Sequence, residues 1–490
     1  MREDWKVVKL GEFAAHEKGK KPKNQKTEKD DVFEYPYVNI EAFEKGIIEH
    51  YTDGEKCNFC YENDFLMVWD GSRSGLVGKG MDGALGSTLV RINFPGIENN
   101  YAFHYLSSKY QEINTRAKGT GTPHVDPYLL WSYDFPIAPL PEQRAIVDKI
   151  EELFSDLDKG IADLNKAKDQ LVIFRQAVLK KAFEGELTKE WREKQTNLPT
   201  ADEILEQIKE ERERFYNQQL LDWKTAVKEW EKNGKLTSKP IKPRLNSETK
   251  NLSKSDINSL PIIPNSWAYF YLAYAGDLGR GKSKHRPRND KRLFGGIYPF
   301  IQTAEVKAQE IITQYDKCYS DFGLAQSKIW PKGTLCITIA ANIAETGFLG
   351  IDACFPDSIV GFTPFEGIVD SNYIDYFFKS AKARITAYAP ATAQKNINLN
   401  TLENLVIPFC NRNEQNQVLK EIESRLSVCD KVEQSIVESL EKAKTLRQSI
   451  LKKAFEGTLL SNEEIERCKQ EEDYEPASVL LEKIKNEKKK

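Results

Sequence analysis

Apolar residues recur at seven-residue intervals along two long stretches of this chain, on a background that is mostly charged or polar. In residues 142–187, Ile150, Leu157, Leu164, Leu171 and Val178 form one stripe, with Leu153, Phe154, Ile161 and Phe174 between them. In residues 414–459, Ile422, Cys429, Ile436, Ala443 and Ile450 hold the corresponding places, supported by Leu426, Leu440 and Leu446. A sustained seven-residue repeat predicts a helix carrying a coiled-coil seam. At 1.5 Å per residue, a helix of about 40 residues is roughly 60 Å long. Gly185 and Gly457 stand where a C-terminal stop is expected. A single narrow stripe on each helix predicts that the two pair with each other. The alternative is that each packs on its own globular domain.

The two stripes belong to an internal repeat. "EQRAIVDKIEELFSDLDKGIADLNKAKDQLVIFRQAVLKKAFEGEL", from Glu142, aligns without a gap with "EQNQVLKEIESRLSVCDKVEQSIVESLEKAKTLRQSILKKAFEGTL", from Glu414, at an offset of 272. Shared residues include Glu142, Gln143, Asp158, Arg175 and the run "LKKAFEG" from Leu179. Upstream, "NNYAFHYLSSK" faces "SNYIDYFFKSA", Pro136 faces Pro408, and "YPYVNI" from Tyr35 resembles "YPFIQT" from Tyr298. Downstream, "ADEILEQIKEE" resembles "ASVLLEKIKNE". The chain is thus a duplicated unit, a mixed domain followed by helices, twice.

The intervening parts are rich in Phe, Tyr, Gly and Pro. Their short apolar runs, such as "DFLMVW", "STLVRINF", "GTLCITIA" and "SIVGF", suit strands. The expected fold class is α+β: mixed, strand-rich domains at 1–140 and 265–410, helical regions at 141–232 and 411–490, and a polar linker at 233–264 rich in Pro, Ser and Lys.

Composition narrows the setting. The 490 residues are 40% hydrophobic and 30% charged, with a net charge of −3, ordinary values for a soluble globular protein. No apolar run is long enough to span a membrane, and "MREDWKVVKLGEF" lacks the apolar core of a signal peptide, so a cytoplasmic protein is expected. The eight cysteines are scattered. The one C-x-x-C, Cys57 and Cys60, has no second pair to complete a zinc site, so no metal is expected.

Charge distribution says more than the total. Before each "YP" strand lies a basic loop: "KGKKPKNQK", with Lys18, Lys20, Lys21 and Lys23, and "RGKSKHRPRNDKR", with Arg280, Lys282, Lys284, Arg286 and Arg288. Matching basic loops suit clamps on a duplex phosphate backbone. A second shared region precedes the helices. It offers Arg116, Lys118, Thr122 and His124 in one copy and Gln394, Lys395 and Asn396 in the other. Such side chains reach phosphates and base edges. Arg73 in "DGSRSG" and Asn342 in "AANIAETG" are further candidates. Any one of them could equally be a solvated loop residue.

Two spellings point elsewhere. "GDLGRGKS", from Gly276, matches the phosphate loop G-x-x-x-x-G-K-S, but Pro287, Gly295 and Gly296 oppose the helix that must follow, and the first copy lacks the motif. "GKGMDG", from Gly78, spells G-x-G-x-x-G but runs into a strand-like "ALGSTLV". Asp126-Pro127-Tyr128 lacks the second proline of the N-P-P-Y type of motif used for methyl transfer to a base amine. No nuclease, helicase, nucleophile-elbow or H-E-x-x-H pattern is evident, so no chemistry is expected from this chain. Helices that keep identical residues beside diverged domains suggest one surface for one kind of partner and two different targets.

The phrases "PLPEQRAIVDKIEELFSDLD" and "LKKAFEGELTKEWR" resemble the central conserved region of Type I restriction–modification specificity subunits, and the second copy resembles that family's C-terminal conserved region. The resemblance covers essentially the whole chain. It implies two target-recognition domains separated by an antiparallel coiled coil, each reading half of a bipartite, asymmetric double-stranded DNA site. It also implies two modification (methyltransferase) subunits and restriction (motor/nuclease) subunits as partners. S-adenosylmethionine, ATP and magnesium would belong to those partners and none to this chain. Trp191 and Arg192 have no counterpart after Leu460, a departure that suggests an asymmetric partner contact near that point. Two rival readings are a P-loop nucleotidase with coiled-coil arms and a purely structural scaffold.

Overall fold

The computed structural model describes residues 2–119, 121–234, 239–243, 252, 260–365, 367–387 and 397–487. The chain divides into two compact units, residues 1–167 with 435–490, and residues 168–434. Among the described residues no helix is long and apolar enough to cross a membrane.

The seven-residue stripes lie on helices Leu140–Phe183 and Arg412–Glu456, which run antiparallel. On the second, Ile422, Cys429, Ile436, Ala443 and Ile450 are all buried. On the first, Ile150 and Val178 are buried while Leu157, Leu164 and Leu171 are half-buried. Cross-helix ion pairs accompany the seam. In the first unit Arg447 donates to both oxygens of Asp158 at 2.8 and 2.9 Å. In the second, Arg175 bridges Asp430 at 2.8 Å and Glu433 at 2.9 Å. These arginines and aspartates are repeat equivalents, so their identity follows from pairing within the chain. Gly185 and Gly457 end the helices in the left-handed region, with φ of 75° and 78°.

The first unit contains an antiparallel sheet in the order Ala15–Lys18, Leu89–Asn93, Phe65–Val68, Val77–Lys79. Its central strand Phe65–Val68 is buried on both faces, which explains the unbroken apolar run there. A second sheet has the order Gln25–Lys26, Tyr51–Thr52, Tyr35–Val38, Gly83–Leu85, Phe59–Cys60, with Tyr35–Val38 parallel to Gly83–Leu85. Helix Asn99–Thr115 and the strand pair Lys6–Lys9 with Asp134–Ile137 link these sheets to the long helices.

The second unit repeats this order although little sequence is shared. One sheet runs Gly276–Arg280, Ile359–Pro364, Leu335–Thr338, Thr346–Leu349, with Ile311–Ile312 added at the edge. The other runs Lys317–Tyr319, Phe294–Phe300, Ala353–Cys354, Ile329–Trp330, again with one parallel pair, Phe294–Phe300 beside Ala353–Cys354. Helix Ser371–Ala387 and the pair Ala268–Tyr271 with Val406–Phe409 complete the match.

The identical residues of the repeat have internal duties. Phe455 packs 5.2 Å from the Tyr101 ring, and Phe183 packs 5.0 Å from the Tyr373 ring. The two tyrosine hydroxyls donate to Pro136 and Pro408 carbonyls, each at 3.0 Å. Gln143 and Gln415, both buried, tie the domain carbonyls of Ala138 and Cys410 at 2.7 and 2.9 Å. Glu142 accepts from Trp5 Nε1 at 3.0 Å and Arg2 at 2.8 Å. Glu414 accepts from Thr188 Oγ1 and Arg192 Nε, each at 2.8 Å. Arg2 stacks 5.7 Å from Trp5, as Arg192 stacks 5.8 Å from Trp267. Within the chain, then, Arg192 does have a counterpart outside the repeat. Its counterpart is Arg2, brought to the same place from the other end of the chain.

Candidate nucleic-acid interface

In each unit the strands bring the diverged loops to one end of a sheet. Strand Ala15–Lys18 leaves its sheet at Lys18 and crosses to the second sheet through Gly19. A Cβ on Gly19 would lie 2.1 Å from the Gly86 carbonyl oxygen, so only glycine passes. The crossing is fixed by Gly19 N–H to Leu89 O at 3.0 Å and Lys20 N–H to Leu85 O at 3.1 Å. Asn58 donates to the Lys18 carbonyl at 2.7 Å. Lys18, Lys20, Lys21 and Lys23 are all exposed.

The same sheet end carries the turn after the central strand. Gly71 donates to the Pro123 carbonyl at 2.7 Å, and Lys118 and His124 exchange backbone hydrogen bonds at 2.9 and 2.8 Å. Lys18, Asp70, Lys118 and His124 thus share one face, with Lys18 Nζ 2.8 Å from Asp70. Several candidate cations already have carboxylate partners. Arg73 pairs with Glu44 at 2.5 Å, Arg116 with Glu112 at 3.5 Å and Lys118 with Asp126 at 2.9 Å. The Lys118 ammonium holds Asp126 below the usual carboxylate range. Thr122 is exposed on the same segment. Tyr128, 82% exposed, lies 5.5 Å from the Lys118 ammonium; neither it nor Asp70 is among the contact candidates that the sequence offers.

In the second unit Arg280 occupies the place of Lys18: Lys18 pairs with Val90 and Arg280 with Val360 in matching strands. Gly281 repeats the crossing, since its Cβ would lie 2.2 Å from the Pro356 carbonyl oxygen. Lys282 and Lys284 are exposed. Arg280 Nε donates to the Asp357 carbonyl at 2.5 Å, and Arg288 reaches both Asp357 oxygens at 2.8 and 3.0 Å. Arg286 donates to the Ser283 and His285 carbonyls at 2.7 and 2.9 Å. Arg292 and His285 hold Asp290 well below the usual carboxylate range. Half-buried Asn342 sits in the turn after Leu335–Thr338. Gln394, Lys395 and Asn396 lie outside the described residues. Asp357 was not foreseen, because nothing in the sequence marks a single acid as the anchor of two arginines.

The phosphate-loop spelling is resolved by the same geometry. Gly276–Arg280 is a β-strand, Ser283 is buried, and no helix follows before the short 3₁₀ turn Lys291–Leu293. The "GKS" is the glycine crossing also present as Lys18-Gly19-Lys20. At the C-x-x-C, Cys60 is buried against the Gly83 carbonyl, and burial pushes its thiol up to about 12. Among the described residues no group of three or more His, Cys, Asp or Glu could hold a metal ion.

The chain matches the family described as Type I restriction modification DNA specificity domain over residues 2–167 and 264–442. It is 24% identical over 504 residues to the Type I restriction enzyme EcoDI specificity subunit of Escherichia coli, covering 99% of this chain and 95% of that one. To the EcoBI specificity subunit of Escherichia coli it is 22% identical, covering 92% and 86%. Similarity to the MjaVIII specificity subunit of Methanocaldococcus jannaschii is 33% over 202 residues, 39% of this chain and 47% of that relative. The fold resembles a chain from a solved type I R-M system, with a TM-score of 0.62, 18% identity and coverage of 94% and 99%. It also resembles the HsdS subunit of Thermoanaerobacter tengcongensis, with a TM-score of 0.51, 17% identity and coverage of 93% and 98%. With the match spanning both strand-rich domains and extending into both long helices, the chain belongs to the Type I restriction–modification DNA specificity family, as a specificity subunit.

Proposed function

We propose that this chain recognises a bipartite, asymmetric double-stranded DNA site, with each strand-rich domain reading one half and the paired helices setting the unread spacer. Specificity subunits are the non-catalytic DNA-recognition component of Type I systems. On this reading methyl transfer and cleavage come from two modification subunits and from restriction subunits, which would bring S-adenosylmethionine, ATP and magnesium.

The observation that carries the reading is the repeated strand order with unlike loops at the same sheet end. A duplicated scaffold keeps two readers in equivalent poses, while loop side chains differ as two different half-sites require. Phosphate contacts would set register, and loop side chains would read bases in the major groove.

Mapping methylated adenines in cells that carry this chain with its modification partners tests the proposal. The expected result is a two-part motif with a fixed gap. Exchanging one strand-rich domain for that of a relative should change one half of the motif only. A single uninterrupted motif, or a change in both halves, would refute it.

A further inference from the structure

We propose that Lys20 and Lys282 are matched contacts to the phosphate backbone of duplex DNA, one in each recognition domain. In each case the cation two residues earlier, Lys18 or Arg280, instead closes the loop onto the protein. The proposal rests on the DNA-recognition reading above and assigns residues within it.

The sheet registers make Lys18 and Arg280 equivalent, and the glycine crossings that follow make Lys20 and Lys282 equivalent. Both lysines are rooted on fixed backbone. Lys20 N–H bonds the Leu85 carbonyl at 3.1 Å, and the Lys282 carbonyl accepts from Ser327 Oγ at 2.9 Å. Both side chains are exposed, and among the described residues neither has an ion-pair partner. Lys18 is held by Asp70 at 2.8 Å, and Arg280 by the Asp357 carbonyl at 2.5 Å.

Neutralising a phosphate with a free lysine releases a condensed counterion, whereas Lys18, already paired with the Asp70 carboxylate, adds little net charge to the contact, and the Nε of Arg280 is engaged by a backbone carbonyl. A second argument comes from what the copies share. Phosphate is the same in every sequence, whereas the bases of two unlike half-sites differ. A cation kept in equivalent places in two diverged domains therefore fits the backbone. The turns at Asp70–Arg73 and Ala340–Ile343 differ, as base-reading loops should.

The test uses the full chain and a duplex of unrelated sequence, so no knowledge of the target is needed. Affinity is measured against salt for the wild type, Lys20→Ala, Lys282→Ala, the double variant and Lys332→Ala. Lys332 is exposed, lies at the opposite end of strand Leu335–Thr338 from the Asn342 turn, and removes the same net charge. Each of the first two variants should flatten the slope of log affinity against log salt by about 0.9, and the double variant by about 1.8. Each lost contact thereby removes about a 3.5-fold share of the affinity loss between roughly 50 and 200 mM salt. Lys332→Ala should keep the wild-type slope. Slopes for Lys20→Ala and Lys282→Ala equal to that of Lys332→Ala would overturn the proposal while DNA recognition stands. A change in only one of the two would overturn the matching. A wild-type chain that binds no duplex at any salt would overturn the DNA-recognition reading itself.

Discussion

Arg192→Met removes the cation that faces a fully buried carboxylate at the start of the second long helix. Glu414 is 0% exposed and receives Thr188 Oγ1 and Arg192 Nε, while its second oxygen has no hydrogen-bond partner among the described residues. Methionine keeps much of the stem that packs on Trp267 but leaves the charge uncompensated. Breaking a buried pair from one side costs about 3–5 kcal/mol. At about 1.4 kcal/mol per tenfold, amides of strand Ala268–Tyr271 and its partner Val406–Phe409 should then exchange with solvent at least about 100-fold faster. Adding Glu414→Gln should restore part of the loss, because no buried charge remains. Arg2→Met should cost less, about 1–3 kcal/mol, since Glu142 keeps the Trp5 N–H and burial already raises its carboxyl above the ordinary value. Less than about a threefold change in exchange for Arg192→Met, or a double variant no better than the single, would refute the reasoning.

Three further outcomes are expected. Burial, aided by Lys79 and Arg447, pushes the His104 imidazole from 6.5 down to about 4. Its neutral form therefore stabilises the first unit above pH 6.5, and up to about 3 kcal/mol is lost as pH falls towards 4. His104→Gln should flatten that dependence in urea midpoints; equal pH slopes would contradict it. Gly281→Ala places a methyl 2.2 Å from the Pro356 carbonyl and should cost at least about 1–3 kcal/mol in thermal unfolding, whereas Gly121→Ala, with nothing within 4 Å, should be neutral. Calorimetry should detect no ATP binding by the full chain, before or after Lys282→Ala; binding abolished by that change would restore the phosphate-loop reading.

The long helices were legible because period and burial coincide: all five seam residues of the second helix are buried, from Ile422 to Ile450. The strands at Phe65–Val68 and Leu335–Thr338 were visible as apolar runs because both faces are covered. Part of the repeat's identity has an internal cause that the sequence does not display: Glu142, Gln143, Asp158, Arg175 and Phe183 all have duties inside the chain. Of "LKKAFEG", only the lysines Lys180 and Lys181 remain exposed.

The candidate interface was less readable. The shared cation–glycine–lysine crossing lay in plain view, but loop-length differences shift its offset to 262 from the 272 of the helices, which hides the match. The carboxylates that occupy Arg73 and Arg288 come from distant residues, Glu44 and Asp357, whose proximity is a product of the fold, and Asp126 meets Lys118 only because the segment between them turns back. Arg2 could be paired with Arg192 only once the two chain regions had been placed in space.

The spacer of the methylated motif tests the central claim most directly. The Arg447–Asp158 pair fixes the facing register, so residues 161–167 and 438–444 are opposed and can be deleted together. Removing seven residues from each helix shortens the pair by about 10 Å, close to three base pairs of duplex at about 3.4 Å each. The account predicts methylation at sites with the same two halves and a gap about three base pairs shorter. Methylation that persists at the original gap would contradict it.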